Sequence, residues 1–377
     1  MSEYQFYEFQ ALDRKLTKTE QTYIESLSSR VKLSPTTAIF TYHYGDFRNK
    51  PEDLLEKCFD IMLYIANWGT RQLVFRLSKE LVDATLVQEY CVDSCISIST
   101  TPKYLILDIN IDDNDYRDWI EGDGWLSNLA GLRDELLQGD FRVLYLAWLK
   151  AKTRVSDEHY PFMDESDILE PSLPNNLQEL SDAQASFVEF FKVNQDLIAA
   201  AAKNSHSTEE EVASWEELIP ILSEAERNEF LVKVLKNEPL VGAQLAKRLR
   251  ELSQSEVALA QGNRERRSLS QLIASAEEHS KLRKKQGRKT FKRARIAELE
   301  ALVPKQAKIW QEISRLIGSK QSKLYDEVVA HLINLRDLAE YQGKMAEFEL
   351  QVQQIQTDYG NRHGLISRMQ KAGLLSL

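Results

Sequence analysis

The sequence predicts an α+β (mixed α/β) amino-terminal domain followed by an all-α region with a long polar helix and a terminal helix pair. Three observations carry this. Aromatic and β-branched runs alternate with helix-like segments over residues 1–155. No convincing strand follows residue 180. And Lys281–Arg295, KLRKKQGRKTFKRAR, holds nine Lys or Arg in fifteen positions without one acid. A block of unpaired cations cannot enter a core, so it faces water, an acidic surface or a polyanion. At 377 residues the chain exceeds what one core usually absorbs. The expected parts are an acidic α/β domain at 1–155, an acidic Pro-containing linker at 156–180, a helical bundle at 181–252, a long basic helix at 253–303 and a repeat-like helical hairpin at 304–377.

In chain order, YQFYEFQAL (Tyr4–Leu12) reads as a strand. Thr17–Ser28 reads as a helix opened by a Thr17–Glu20 capping box. TTAIFTYHY (Thr36–Tyr44) is a second strand. After Pro51, residues Leu54, Leu55, Cys58, Phe59, Met62, Ile65 and Ala66 fall at helical spacing, which predicts one helix ending at Gly69. Gln72–Leu77 alternates as a strand, Lys79–Tyr90 reads as a helix, and Cys95–Ser99 and Tyr104–Ile109 read as strands parted by Thr101-Pro102. Helices are predicted at Leu126–Gln138, at Phe141–Lys152 and from Ser181 through Ala202. Shorter helices follow at Trp215–Leu222, Glu224–Lys236 and Leu240–Leu252. In the long polar helix, Gly287 weakens the middle by about 1 kcal/mol relative to Ala, and a bend is expected there. Pro304 begins the last unit, in which Tyr325–Tyr341 and Ala346–Tyr359 pair across Gln342-Gly343.

Net charge is −10, but residues 1–180 carry −13 and residues 181–377 carry +3. Three cysteines, Cys58, Cys91 and Cys95, allow no full disulfide framework and suit a reducing cytoplasm. No second Cys or His pair stands at zinc-ligand spacing, and neither a metal nor a cofactor is expected. MSEYQFYEFQ reads as no signal peptide, and no run approaches the roughly 18 apolar residues of a membrane span. Nucleotide-binding glycine motifs and a Gly-x-Ser-x-Gly elbow are missing from the sequence.

Several blocks resemble an abundant bacterial protein family: YEFQALDRKLT at the start, NWGTRQL (Asn67–Leu73), LRDELLQGDFRVLYLAWL (Leu132–Leu149), DLIAAAAKNS (Asp196–Ser205), and the tail from Lys320. The tail is also similar to the carboxy-terminal part of some SWIM zinc-finger proteins. The Cys-x-Cys and Cys-x-His pairs of a SWIM site are missing here, so the resemblance implies neither zinc nor an activity.

Four candidate features remain. The nine cations Lys281, Arg283, Lys284, Lys285, Arg288, Lys289, Lys292, Arg293 and Arg295 are expected to surround the helix axis, with Phe291 the one aromatic among them. They leave open a solvated helix, a protein partner and nucleic acid. Leu269, Leu272 and Ile273 form an apolar patch that needs a covering helix. His43, Asp46, Asn67 and Arg71 stand at strand ends, where α/β ligand sites tend to lie, although each also has a structural use. Asp108–Asp123 holds seven acids and lacks calcium-loop spacing, so it reads as a solvated acidic loop. The leading expectation is a non-enzymatic interaction protein that docks through its long helix. The alternatives are a nucleic-acid-binding accessory protein and an enzyme with a site near His43 and Arg71.

Overall fold

The computed structural model describes residues 3–113, 120–154, 168–205, 215–257 and 266–375. It divides into two compact units, 1–280 and 281–377.

The first unit is built on a seven-stranded sheet of antiparallel pairs. Its elements run β1 (Gln5–Gln10), α1 (Lys18–Leu27), β2 (Lys32–Leu33), β3 (Thr37–Tyr42), α2 (Pro51–Cys58), β4 (Ile61–Ala66), β5 (Thr70–Ser78), α3 (Ala84–Gln88), β6 (Ile96–Thr100) and β7 (Tyr104–Asp112). The spatial order is β2-β3-β1-β4-β5-β7-β6. The capping box at Thr17 forms as the sequence implies.

One helix expected after Pro51 is instead a helix and a strand. α2 ends at Cys58, and Ile61–Ala66 pairs with both β1 and β5. All six residues of β4 are buried. A strand covered on both faces has no polar alternation to betray it, so its apolar run joined the helix before it in register. Gly69 (φ 115°) turns the β4–β5 hairpin rather than ending a helix.

Each face of the sheet has its own cover. α1 and α2 close one face over Phe9, Phe40, Met62 and Val74. The other face, with Phe6, Leu63, Leu73, Phe75, Leu107 and Ile109, lies under helices that follow β7. These are α4 (Trp125–Leu129), α5 (Gly131–Leu137), α6 (Arg142–Thr153), α7 (Asp182–Phe190) and α8 (Gln195–Ala202). The expected single helix from Ser181 is broken between α7 and α8, where Lys192 takes φ 48°. A lysine gives no sequence cue for that conformation.

Residues 156–167 of the expected 156–180 linker lie outside the described residues. Residues 168–180 do not behave as a spacer. Glu170 N–H donates to the Arg267 carbonyl, Leu269 N–H donates to the Ile168 carbonyl, and Leu177 is buried. Phe187, Phe190, Phe191 and Leu197 belong to the same apolar cluster as the sheet. The core of residues 1–155 is therefore completed by chain beyond them.

α9 (Trp215–Leu218), α10 (Glu224–Leu235) and α11 (Val241–Val257) form a small satellite around Leu218, Leu222 and Leu249. α12 (Leu269–Leu302) is one helix of 34 residues, running through Gly287 without interruption. The boundary between the units falls within it. The second unit continues with α13 (Gln306–Gly318), α14 (Tyr325–Gln342), α15 (Met345–Tyr359) and α16 (His363–Lys371). Its core gathers Leu299, Ile313, Leu316, Ile317, Val328, Leu332, Leu335, Phe348 and Met369. Gly343 (φ 71°) closes α14 and allows the expected turn into α15.

Candidate functional site

α12 starts at a reciprocal cap: Gln271 N–H donates to Ser268 Oγ, and Ser268 N–H donates to Gln271 Oε1. Its middle is rich in Lys and Arg, which are good helix formers. The second unit carries 19 Lys or Arg against 10 Asp or Glu, a balance of +9. The first unit, with 29 against 48, carries −19. The block supplies nine of the 19 cations, so outside it the second unit is neutral.

The cations do not surround the axis. At 3.6 residues per turn, Lys281, Arg288 and Lys292 fall within about 40° of one another and form a crest. Lys284 lies about 60° to one side of Lys281, and Lys285 and Lys289 about 40–80° to the other. Together these six make one ridge spanning about 140° of the helix. Arg283 points away and Arg293 sits at the margin. Spacings of three, four and seven residues, which make a helix stripe, were hidden in the sequence by the density of the block. Arg295 is committed to structure: its guanidinium reaches Asp337 at 2.7 Å, Glu298 at 3.0 Å and Asn334 at 3.3 Å.

Residues 281–290, 292 and 293 are exposed, and the side chain of Phe291 lies outside the described residues. The side chains of Lys284, Lys285, Arg288, Lys289 and Lys292 make no ion pair or hydrogen bond among the described residues. A ridge with five such cations, along about 12 Å of helix, is a surface for a polyanion.

The other candidates have structural uses. Leu269 and Leu272 are buried in the core over the sheet, with Ile273 packed against it, so the patch is covered by the chain's own first unit. Arg267 reinforces the contact: it grips Glu170 at 2.8 Å, and Glu170 also accepts a hydrogen bond from Tyr145.

The His43 group is dispersed. His43 is exposed, with its ring 5.9 Å from that of Tyr4. Asn67 Oδ1 accepts from the Tyr4 N–H at 3.1 Å, which ties down the first strand. Asp46 accepts from Gln5 Nε2 at 2.9 Å, on the face where Tyr7 and Tyr64 donate to Gln5 Oε1. Arg71 serves the opposite face: it donates to the Phe190 carbonyl and stacks over the Phe190 ring at 5.1 Å.

In the acidic segment, residues 114–119 lie outside the described residues. Asp113 is buried and paired with Lys150 at 2.7 Å. Asp108 accepts two 3.0 Å hydrogen bonds from Gln72 Nε2, and burial lifts its carboxyl to about 6. Two of the seven acids are therefore internal rather than solvated. Among the described residues no group of three or more His, Cys, Asp or Glu is placed to hold a metal, and no helix is long and apolar enough to cross a membrane.

Sequence reasoning missed one buried polar network. Arg133 is 2% exposed; it makes two 2.8 Å bonds to Asp13, donates to the Arg76 carbonyl, and stands 3.4 Å from Asp60. Arg76 reaches Asp60 at 2.6 Å, and Asp60 Oδ2 accepts from the N–H groups of Leu12 and Asp13. Burial alone would raise the Asp60 carboxyl, but Arg133 and Arg76 outweigh it and hold the group below its ordinary range. Asp13 belongs to the block YEFQALDRKLT and Arg133 to LRDELLQGDFRVLYLAWL. The two blocks meet in space as a strap between the end of β1 and α5. No local spacing could reveal this, because the partners lie 120 residues apart.

No protein-family model, no curated protein and no solved structure matches this chain.

Proposed function

We propose that this is a nucleic-acid-binding accessory protein that holds the phosphate backbone with the cationic ridge of α12, and that it belongs to the bacterial family its sequence blocks resemble. The ridge carries the reading. Six cations share one exposed face, five of them without a partner among the described residues, and outside the nine-cation block the unit is electrically neutral. Five of the six are lysines, compact point charges suited to phosphates rather than to reading base edges. A plain solvated helix would gain nothing from collecting like charges on one side, where they repel.

The test is retention on an oligonucleotide column across a salt gradient. If all six cations meet phosphates, log affinity falls against log salt with a slope of about −5 on duplex. The triple variant Lys284→Glu, Arg288→Glu, Lys292→Glu loses retention while its helical content and denaturation midpoint stay. Unchanged retention of the variant sinks the reading.

A second reading has its own observation. α10 buries no residue, and Leu231, Val234 and Leu235 are 58–81% exposed on it. Such a face suits a protein partner. Capture that survives nuclease treatment and is lost in Leu231→Asp/Leu235→Asp would support docking of that kind.

A further inference from the structure

We infer that the polyanion is B-form duplex DNA, held without regard to sequence, with the ridge of α12 entering the major groove. This rests on the reading that α12 binds a phosphate backbone, and it commits that reading to one kind of nucleic acid.

The first argument is shape. An α-helix with its side chains is about 10–12 Å across, and the B-form major groove is about 12 Å wide. The cations are arranged for such an entry. Lys281, Arg288 and Lys292 run along the crest, while Lys284 flanks one side and Lys285 and Lys289 the other. With the crest in the groove, the two flanks reach the two strands that border it. The A-form major groove is too deep and narrow for side chains to read, so duplex RNA does not offer the same seat.

The second argument is charge density. From Lys281 to Lys292 the helix rises about 16 Å. Duplex DNA presents one phosphate per about 1.7 Å of axis, enough to answer six cations within that length. A single strand carries half the density. Proteins that bind single strands add aromatic side chains on which bases stack. The six residues of the ridge include no aromatic and the block holds one, Phe291, where a platform for successive bases needs several; the one exposed large aromatic described in this unit, Tyr341, is held by Glu300 at 2.8 Å.

The third argument is the scarcity of base-reading groups. Arg288 is the single arginine of the ridge, and no Asn or Gln stands among the six. One arginine on the crest gives at most a weak preference for guanine.

Fluorescence anisotropy on the full chain decides this, with duplex DNA, duplex RNA and single-stranded DNA of equal length at one salt concentration. Duplex DNA should bind roughly tenfold tighter than either competitor. Arg288→Glu should weaken duplex binding by roughly tenfold, and the charge-matched Lys308→Glu on α13 by less than twofold. Equal affinity for the three probes, or tighter binding of RNA or single strand, overturns the inference and leaves backbone binding standing. Equal losses in the two variants reduce the ridge to net charge and overturn groove entry. Failure to bind any probe overturns the proposed function itself.

Discussion

The two units treat the same side chains in opposite ways. In the first, Arg71, Arg76, Arg133 and Lys150 are buried, and each is answered by a carbonyl or carboxylate. In the second, most of the cation block stands in water on one helix face. A buried cation survives only with a partner, so its presence says that the chain supplies one. On the ridge, five cations have no partner among the described residues, and the proposed answer comes from outside. The paired charges therefore explain the fold and the unpaired ones the proposed function. Each variant below tests whether that division holds.

The largest effect is expected at Arg133. Arg133→Ala leaves Asp13 and Asp60 facing one another around a cavity, which should cost about 3–5 kcal/mol in chemical denaturation. The loss should shrink in acid. The Asp60 carboxyl is held below its ordinary value, so its contribution is present at neutral pH and disappears as pH falls through the folded value. By contrast, the ridge variant Lys284→Glu/Arg288→Glu should move stability by less than about 0.5 kcal/mol. If Arg133→Ala costs under 1 kcal/mol, or the ridge variant unfolds its unit, the division between structural and functional charge collapses.

The same contrast governs what the sequence made legible. Strands β1, β3, β5, β6 and β7 were readable because aromatic and β-branched runs sit between turn residues. Helices α14 and α15 were readable because apolar residues recur on one face and Gly343 parts them, whereas α16 was not read. β4 was not, being apolar at every position. The partners of Arg133 and Arg267 were not, because pairing across roughly a hundred residues leaves no local trace. The ridge was in plain view, and only its angular arrangement needed the helix to be drawn. The apolar patch at Leu269 shows the converse difficulty: sequence detects that a face needs cover but not that its own chain provides it.

Glu8 is the exception inside the first unit, and a sharper test. It lies on β1, 9% exposed, and its Oε2 has no hydrogen-bond partner among the described residues. Burial first, and then the charge of Asp123, raise its carboxyl to about 7. The nearby loop is laid so tightly on Phe6 that a Cβ at Gly122 would meet the ring at 2.2 Å. The sign follows from the raised value. Between about 4.5 and 7 the unfolded chain gives up this proton before the folded one, so stability falls as pH rises, and the full penalty stands above about 7. Glu8→Gln should therefore stabilise the protein by about 2 kcal/mol at pH 8, allowing for some solvent access, and by almost nothing at pH 4. Denaturation curves at the two pH values read this directly. An equal effect at both would mean that Glu8 acts through packing, and that the first unit tolerates no unanswered charge at all.

The smallest effect is expected at Gly287, in the middle of the ridge. Nothing lies within 4 Å of where its Cβ would stand, and the helix passes through it without a break. Gly287→Ala should therefore stabilise α12 by about 0.5–1 kcal/mol, measured as slower amide exchange over residues 281–292. A straight helix seated in a groove needs no joint, so duplex affinity should stay level or rise slightly as less order is lost on binding. A stabilised helix that binds more weakly would show that α12 bends at Gly287 on the nucleic acid. The glycine would then belong to the binding surface rather than to the fold, although no side chain there makes a contact.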